Sequence, residues 1–213
     1  ASSQGCKTAA VINQNGDDYS TGLANYFKDA FAKMDGCSVV YEGTYNTNEN
    51  DFNAILAKVK EANPGGVFIL CCISTAGLII KQARDLGITA PVLGADGFDS
   101  PTLLELGGAA ALNDVYFTNH YSAIDEDPKV VEFIAAFKEK NNEEPNAFHA
   151  LGYDLGNFVA DAVKRASALT GEAVQKAMAE TKGFVGVTGT FDMDEHHNPV
   201  KSIVVIGLKD GVQ

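Results

Sequence analysis

The sequence predicts an α/β fold: a doubly wound parallel five-stranded sheet, followed by a second, incomplete lobe. Short β-rich runs alternate with helical periodicity through the first 118 residues. The run Val67–Cys72 (VFILCC) is apolar without interruption, as is typical of a strand in the middle of a parallel sheet. After residue 118 the alternation stops and three helices follow one another without a strand between them.

Five strand–helix units fill the first half of the chain. The run Lys7–Gln14 predicts strand one, and apolar residues spaced by three and four predict a helix over Ser20–Met34, which Gly36 ends. Asn50 or Asp51 is expected to cap the second helix. The other elements predicted here are strands over Ser38–Tyr45, Val67–Cys72, Pro91–Ala95 and Asp114–Thr118, a helix over Thr75–Leu86, and a short helix opened by Ser100-Pro101.

The second half is mostly helical. Its predicted helices cover Pro128–Asn141, Asn146–Ala168 and Glu172–Thr181. A hairpin over Gly183–Pro199 and a last β-rich run over Ser202–Leu208 follow. Three helices with so few strands resemble half of an α/β domain.

The charge of the chain excludes several partners. Sixteen Lys and Arg residues against 28 Asp and Glu residues give a formal net charge of −12. Such an acidic chain is unsuited to nucleic acid or to an anionic lipid surface. No apolar run reaches the length of roughly 18 residues that a membrane span needs.

The loops at the carboxyl ends of the strands, where ligands of open α/β sheets bind, disfavour cofactor sites. Strand one is followed by NQNGDDYS, which lacks the G-x-G-x-x-G pattern and carries two aspartates that would repel a pyrophosphate. The P-loop pattern is also absent. A phospho-receiver domain needs an aspartate after strand three, where this chain has Cys71-Cys72-Ile73-Ser74. No cofactor is therefore predicted.

Two groups of reactive residues leave alternatives open. Cys72 ends strand three, where the nucleophile of a small flavodoxin-like thiol enzyme would lie, although Cys71 and Cys72 are more simply interpreted as small apolar core residues. A metal site is conceivable at Asp192, Asp194, His196 and His197, although a solvated hairpin turn is favoured there. We predict neither a catalytic residue nor a metal site.

One binding pattern remains. Asp96 directly follows strand four in LGADGFDSP, and a lone carboxylate in that position suits a ligand ammonium group. Tyr19 follows strand one, and Ser74 and Thr75 follow strand three, so a phenol and two hydroxyls join the acid at one rim. The alternatives are an Asx-turn or helix cap for Asp96 and a packing role for Tyr19.

Five stretches in one order carry a family resemblance: KTAAVINQNGDDYSTGLANYFKDAF, YEGTYNTNENDFNAILAKVKEANPGGVFI, AGLIIKQARDLGITAPVLGADGFDSP, ALGYD and GVTGTFDMDEHHNPVKS. In order and spacing the chain resembles the periplasmic leucine/isoleucine/valine-binding proteins, the type I solute-binding proteins of ABC transporters.

The resemblance implies two α/β lobes joined by three crossing segments. Residues 1–118 and 202–213 would form the carboxyl-side ligand-binding lobe, and residues 119–201 a crossing segment and part of the other lobe. The family's chain begins a lobe-segment earlier, which implies that this sequence is a fragment or one piece of a nicked protein. A separate N-terminal fragment is then an expected partner.

The resemblance also implies a function. Members clamp an amino acid between their lobes without chemistry and deliver it to an ABC permease, so the expected location is periplasmic or extracellular, with a cell-surface lipoprotein as one form. The same module in a receptor or regulator, acting as a sensor, is the alternative. Tyr19 matches the family's ligand-contacting tyrosine, and Asp96 matches the acid that takes the α-ammonium. An aromatic residue that often follows strand three is replaced here by Cys72-Ile73-Ser74-Thr75, and Phe98 is the candidate for the missing apolar wall.

An exported protein can also form disulfides. Cys6 and Cys37 precede strands one and two, which are parallel neighbours in this fold. Matching positions on such strands lie about 5 Å apart, within disulfide reach. We therefore expect a Cys6–Cys37 bridge.

Overall fold

A computed structural model describes residues 1, 4–70 and 73–213, apart from the side chain of residue 73. The chain divides into two compact units. The first contains Ala1–Thr118 and Val205–Gln213, and the second contains Asn119–Val204.

The first unit is built on a six-stranded sheet. Its strands are β1 (Thr8–Gln14), β2 (Ser38–Tyr45), β3 (Gly66–Leu70), β4 (Val92–Gly94), β5 (Val115–Asn119) and β9 (Val204–Leu208). The strand order is β2-β1-β3-β4-β5-β9, and the pairs along β2-β1-β3-β4-β5 are parallel. The predicted mixed α/β fold with a parallel sheet is confirmed. The predicted strand count of five is wrong, because β9 returns from the end of the chain to join the sheet beside β5.

Four helices connect the strands of this unit: α1 (Asp18–Ala32), α2 (Asn53–Ala62), α3 (Ile73–Asp85) and α4 (Pro101–Gly107). The caps follow the local chemistry. The Asp17 carboxylate accepts from the Ser20 backbone N–H in α1, and Ser100 caps α4 with Pro101 as the first helical residue. Helices α3 and α4 approach closely at Gly77, where a Cβ would lie 2.6 Å from the Leu103 carbonyl oxygen.

The expected cap of α2 at Asn50 or Asp51 is wrong by one or two residues. Phe52 occupies the N-cap position and supplies no side-chain bond to the helix. Its ring is buried edge-on against Tyr45, and its backbone N–H donates to the Gln82 side chain at 2.7 Å. Packing of the aromatic ring therefore decides where α2 begins. The Asp51 carboxylate accepts from the backbone N–H of Asn53 instead, and this bond lowers the pKa of Asp51.

Arg84, in the last turn of α3, ties together the chain segments that enter β4 and β5. Its guanidinium donates to the carbonyl oxygens of Ile88 and Ala90 at 2.8 Å and of Asn113 at 2.9 Å. A longer bond of 3.4 Å reaches the Ala111 carbonyl oxygen. Burial lowers the pKa of Arg84, and the negative charge of Asp114 partly offsets this effect.

Replacing Arg84 by Met is expected to lower the free energy of unfolding by about 2–3 kcal/mol, because several half-buried carbonyl oxygens lose a charged donor. Urea denaturation followed by circular dichroism measures the change. Lys81→Met on the same helix is the matched control, since its pair with Asp85 is exposed and is worth at most about 0.5 kcal/mol. Equal losses in the two variants would contradict the role given to Arg84.

The second unit contains three helices and a small sheet. The helices are α5 (Pro128–Asn141), α6 (Ala147–Arg165) and α7 (Gly171–Ala179), and the strands are β6 (Phe184–Gly186), β7 (Gly189–Met193) and β8 (Pro199–Val200). The strands pair antiparallel in the order β6-β7-β8. The single hairpin expected over Gly183–Pro199 is thus two successive turns.

A buried carboxylate holds the second unit together. Asp154 of α6 is 4% exposed and accepts from the Val187 N–H at 2.7 Å, the Thr188 N–H at 2.8 Å and the Thr188 hydroxyl at 2.7 Å. Lys201 donates to the carbonyl and hydroxyl oxygens of Thr188 at 2.7 and 2.6 Å. Burial lowers the pKa of Lys201, and the Asp154 charge partly offsets this effect. Asp154 therefore anchors the turn between β6 and β7 to α6.

The acidic turn between β7 and β8 has a structural explanation. The Asp194 carboxylate accepts from the backbone N–H groups of His196 at 2.9 Å and Asn198 at 2.7 Å, and these bonds lower its pKa. Among the residues that the structure describes, no group of three or more His, Cys, Asp or Glu side chains is arranged to hold a metal ion.

Within the same residues, no helix combines the length and apolar character of a membrane span.

The expected disulfide between Cys6 and Cys37 is not formed. Both are free thiols. Cys6 is buried and its thiol donates to the Gly65 carbonyl oxygen at 3.2 Å, just before β3. Cys37 precedes β2, on the opposite side of β1 in the sheet. The adjacency of β1 and β2 was predicted, but Cys6 packs towards the other neighbour of β1.

Candidate functional site

Tyr19 and Asp96 meet at the carboxyl edge of the six-stranded sheet. Tyr19 lies in the first turn of α1, shortly after β1, and Asp96 begins a single helical turn directly after β4. The Tyr19 phenol donates a hydrogen bond to the Asp96 carboxylate. The Tyr19 side chain is 43% exposed and Asp96 is partly exposed, so both polar groups can meet a ligand.

Ser20 fixes the first turn of α1 on the sheet. Its buried hydroxyl donates to the Leu70 carbonyl oxygen at the end of β3 at 2.6 Å and accepts from the Gln14 N–H at the end of β1 at 2.8 Å. The backbone that carries Tyr19 is therefore anchored to two neighbouring strands. Ser20 was not singled out from the sequence, where a serine in the first turn of a helix is indistinguishable from an ordinary helix-start residue.

Phe98 does not present the apolar wall that the sequence suggested. It is 2% exposed, lies directly against Gly94 of β4, and packs on Phe117 of β5 with ring centroids 5.9 Å apart. Gly94 is required beneath it, because any Cβ there would overlap the Phe98 ring. Phe98 consequently has little surface left for a ligand, and its role is to anchor the turn that presents Asp96.

The three candidate residues after β3 differ in their surroundings. Cys72 lies outside the described residues. Ser74 is exposed in the first turn of α3. Thr75 is half-buried, and its hydroxyl is hydrogen-bonded to the Tyr45 phenol at 3.1 Å.

Tyr45 is a residue of this edge that the sequence argument missed. It ends β2, is 2% exposed, and its carbonyl oxygen accepts from the Asn15 N–H at 2.8 Å. Together with the bond to Thr75, this contact links the loop after β1 to the start of α3. The available signal was an aromatic residue at the last position of a strand, followed by the polar run NTNEND.

The arrangement is suited to binding a cation. An ionised carboxylate has about four acceptor sites, so it can accept hydrogen bonds from more than one donor at the same time. An ammonium group carries three N–H donors and forms charge-assisted bonds to such a carboxylate. The helical turn that begins with Asp96 is anchored to the sheet, because Phe98 in the same turn packs on Phe117 of β5.

Residues 1–212 match the family described as periplasmic binding protein. This chain belongs to that family. The resemblance on which the sequence analysis relied is therefore confirmed.

Curated relatives of this family member include a Leu/Ile/Val-binding protein homolog of Brucella abortus, 32% identical over 191 residues, which cover 89% of this chain and 50% of the relative. A leucine-, isoleucine-, valine-, threonine- and alanine-binding protein of Pseudomonas aeruginosa is 28% identical over 192 residues, covering 89% of this chain and 49% of the relative. This chain spans about half the length of the curated relatives that it matches.

Two solved structures of family members superpose on nearly the whole chain. A leucine binding protein of Thermotoga maritima gives a TM-score of 0.90 at 34% identity, covering 98% of this chain and 59% of that one. A branched-chain amino acid transporter substrate binding protein of Streptococcus pneumoniae, in complex with isoleucine, gives 0.87 at 31% identity, covering 98% and 58%.

Proposed function

We propose that this family member is an extracytoplasmic solute-binding protein, or part of one, that binds a branched-chain or similar amino acid. In this proposal Asp96 accepts the α-ammonium group of the ligand. The Tyr19 phenol orients the carboxylate and contacts the same ligand, and Ser74 and Thr75 contribute hydroxyls beside it. Residues other than Phe98 contact the side chain of the amino-acid ligand in this proposal.

The observation that carries this proposal is the hydrogen bond between Tyr19 and Asp96. Tyr19 and Asp96 are 77 positions apart in the chain, yet their side chains meet at the edge where open α/β sheets bind ligands. A charge-assisted bond from a desolvated ammonium group to this carboxylate would contribute about 1.5–3 kcal/mol. The names of the two curated relatives, a Leu/Ile/Val-binding protein homolog and a leucine-, isoleucine-, valine-, threonine- and alanine-binding protein, support the ligand class.

The proposed activity is binding without chemical conversion, in support of ABC-transporter import. The expected partners are the amino acid and a permease in the membrane, and the expected location is periplasmic or extracellular. Because the relatives are about twice as long as the matched region, we also propose that further family polypeptide, joined or as a separate N-terminal fragment, completes the binding protein.

Isothermal calorimetry with the natural polypeptide that contains this sequence tests the proposal. L-Leucine and L-isoleucine are expected to bind. N-Acetyl-L-leucine, which keeps the side chain and carboxylate but lacks the ammonium group, is expected to bind at least about tenfold more weakly. Equal affinity for leucine and its acetylated form would exclude Asp96 as the ammonium acceptor, and failure of both L-leucine and L-isoleucine to bind would refute the proposed ligand class.

A further inference from the structure

Ser20 places a fully buried hydroxyl directly beside a residue of the candidate binding site. It follows Tyr19 in the first turn of α1 and is 0% exposed. An alanine would fill such a position with a better helix propensity and without a polar atom to bury. A buried serine costs free energy unless its hydroxyl forms hydrogen bonds, so the partners of this hydroxyl indicate what it does.

The hydroxyl uses both its acceptor and its donor capacity at the carboxyl edge of the sheet. Its oxygen accepts at 2.8 Å from the N–H of Gln14, the last residue of β1. Its proton is donated at 2.6 Å to the carbonyl oxygen of Leu70, the last residue of β3. The last paired residues of these two strands are Asn13 and Leu70. Ser20 therefore takes up backbone groups at the point where the ladder between β1 and β3 ends.

Two other hydrogen bonds of this turn stay within it. The Ser20 N–H donates to the Asp17 carboxylate at 2.9 Å, and the Thr21 N–H donates to the Asp17 carbonyl oxygen at 2.9 Å. These bonds start the helix, but they do not fix its direction over the sheet. The Ser20 hydroxyl does so, because it joins the turn to two strands.

The position of this turn decides where the Tyr19 phenol lies. The phenol is at the far end of a long, rigid ring, so a small rotation of the turn moves the phenol further than it moves the backbone. The phenol meets the Asp96 carboxylate, which is presented after a different strand, β4. Binding groups hold such a geometry when the residues behind them are locked by packing and hydrogen bonds. Ser20, buried and hydrogen-bonded on both sides, is a residue of this kind behind Tyr19.

We propose that Ser20 is a positioning residue for ligand binding. Its hydroxyl holds the first turn of α1 so that the Tyr19 phenol meets Asp96, and it thereby sets the affinity for the amino acid without touching it. This inference rests on the proposed function and deepens it. The competing explanation is that the hydroxyl only stabilises the fold, in which case its loss would lower stability and leave the pair of Tyr19 and Asp96 unchanged.

A double-mutant cycle, measured by calorimetry with L-leucine and the natural polypeptide, tests the inference. Ser20→Ala is expected to weaken binding at least about fivefold when Tyr19 is present, and less than about twofold in the Tyr19→Phe variant, because the phenol through which Ser20 acts is then absent. Thr21→Ala removes an exposed hydroxyl from the next position and is the matched control, with an expected change below about twofold. Equal weakening by Ser20→Ala in both backgrounds would overturn the inference.

A second measurement follows the pair without ligand. In the natural polypeptide, the carbon NMR signal of the Asp96 carboxylate, assigned by its loss in Asp96→Asn, is expected to shift in Tyr19→Phe and in the same direction in Ser20→Ala. It should stay in place in Thr21→Ala. A lower unfolding midpoint of Ser20→Ala with an unmoved Asp96 signal would assign Ser20 to stability alone and overturn the inference. If the wild type binds neither L-leucine nor L-isoleucine, the proposed function and the effect on affinity are refuted, and the Asp96 signal still decides whether Ser20 positions the phenol.

Discussion

Replacing Asp96 by Asn is expected to weaken amino-acid binding by roughly 10- to 150-fold, which corresponds to about 1.5–3 kcal/mol. The substitution preserves the shape of the side chain and its acceptor oxygen, but it removes the charge that the ammonium group needs. The Tyr19 phenol can still donate to the amide oxygen, so the local structure is expected to survive. Calorimetry with L-leucine measures the effect in the natural polypeptide.

Asp18→Asn is the matched control for this variant. Asp18 is exposed, adjoins Tyr19, and carries the same charge, so its loss reports the general electrostatic effect of one carboxylate at this edge. Its removal should change affinity less than about threefold. Similar losses in Asp18→Asn and Asp96→Asn would mean that the whole acidic edge, and not Asp96, attracts the ligand.

Replacing Asp154 by Ala is expected to lower the stability of the second unit by about 3–5 kcal/mol. Two backbone N–H groups and one hydroxyl, all aimed at the same carboxylate, lose their acceptor. Lys201 also loses the negative charge that partly offsets its desolvation. Gly186 lies directly against the carboxylate, so the substitution also removes a packed contact.

Hydrogen exchange followed by mass spectrometry checks this expectation, because it separates the two units. Faster exchange is expected in α6 and β6–β7, and unchanged exchange in β1–β4. Asp161→Ala on the same helix is the control, since its pair with Arg165 is 2.7 Å long but partly exposed and is worth about 0.5 kcal/mol. If both variants exchange alike, Asp154 does not hold the second unit together.

The elements that the sequence predicted correctly have local signals. Strand β2 and helix α5 have the predicted bounds, because alternation with tyrosine and valine defines the first and Pro128 with an apolar periodicity defines the second. The N-cap of α4 at Ser100 was also predictable, because Ser followed by Pro is a local signal for the start of a helix. In each case the deciding interactions span only a few residues.

The features that were missed depend on distant residues. The start of α2 is set by the packing of Phe52 on Tyr45, and Cys6 turns towards Gly65 instead of Cys37. Asp154 was not singled out, because its partners at Val187 and Thr188 are more than 30 positions away. The site shows the same division. The positions of Tyr19 and Asp96 after parallel strands predicted that they share an edge of the sheet. The burial of Phe98 was not predicted, because it depends on the space that Gly94 of β4 leaves for the ring.

The most direct test of the central claim is a crystal structure of the natural polypeptide grown with L-isoleucine. We predict that the ligand's ammonium nitrogen lies about 2.7–3.0 Å from a carboxylate oxygen of Asp96, with the Tyr19 phenol within hydrogen-bond distance of the same group. An isoleucine bound elsewhere, or with its ammonium group on an acid other than Asp96, would contradict the account.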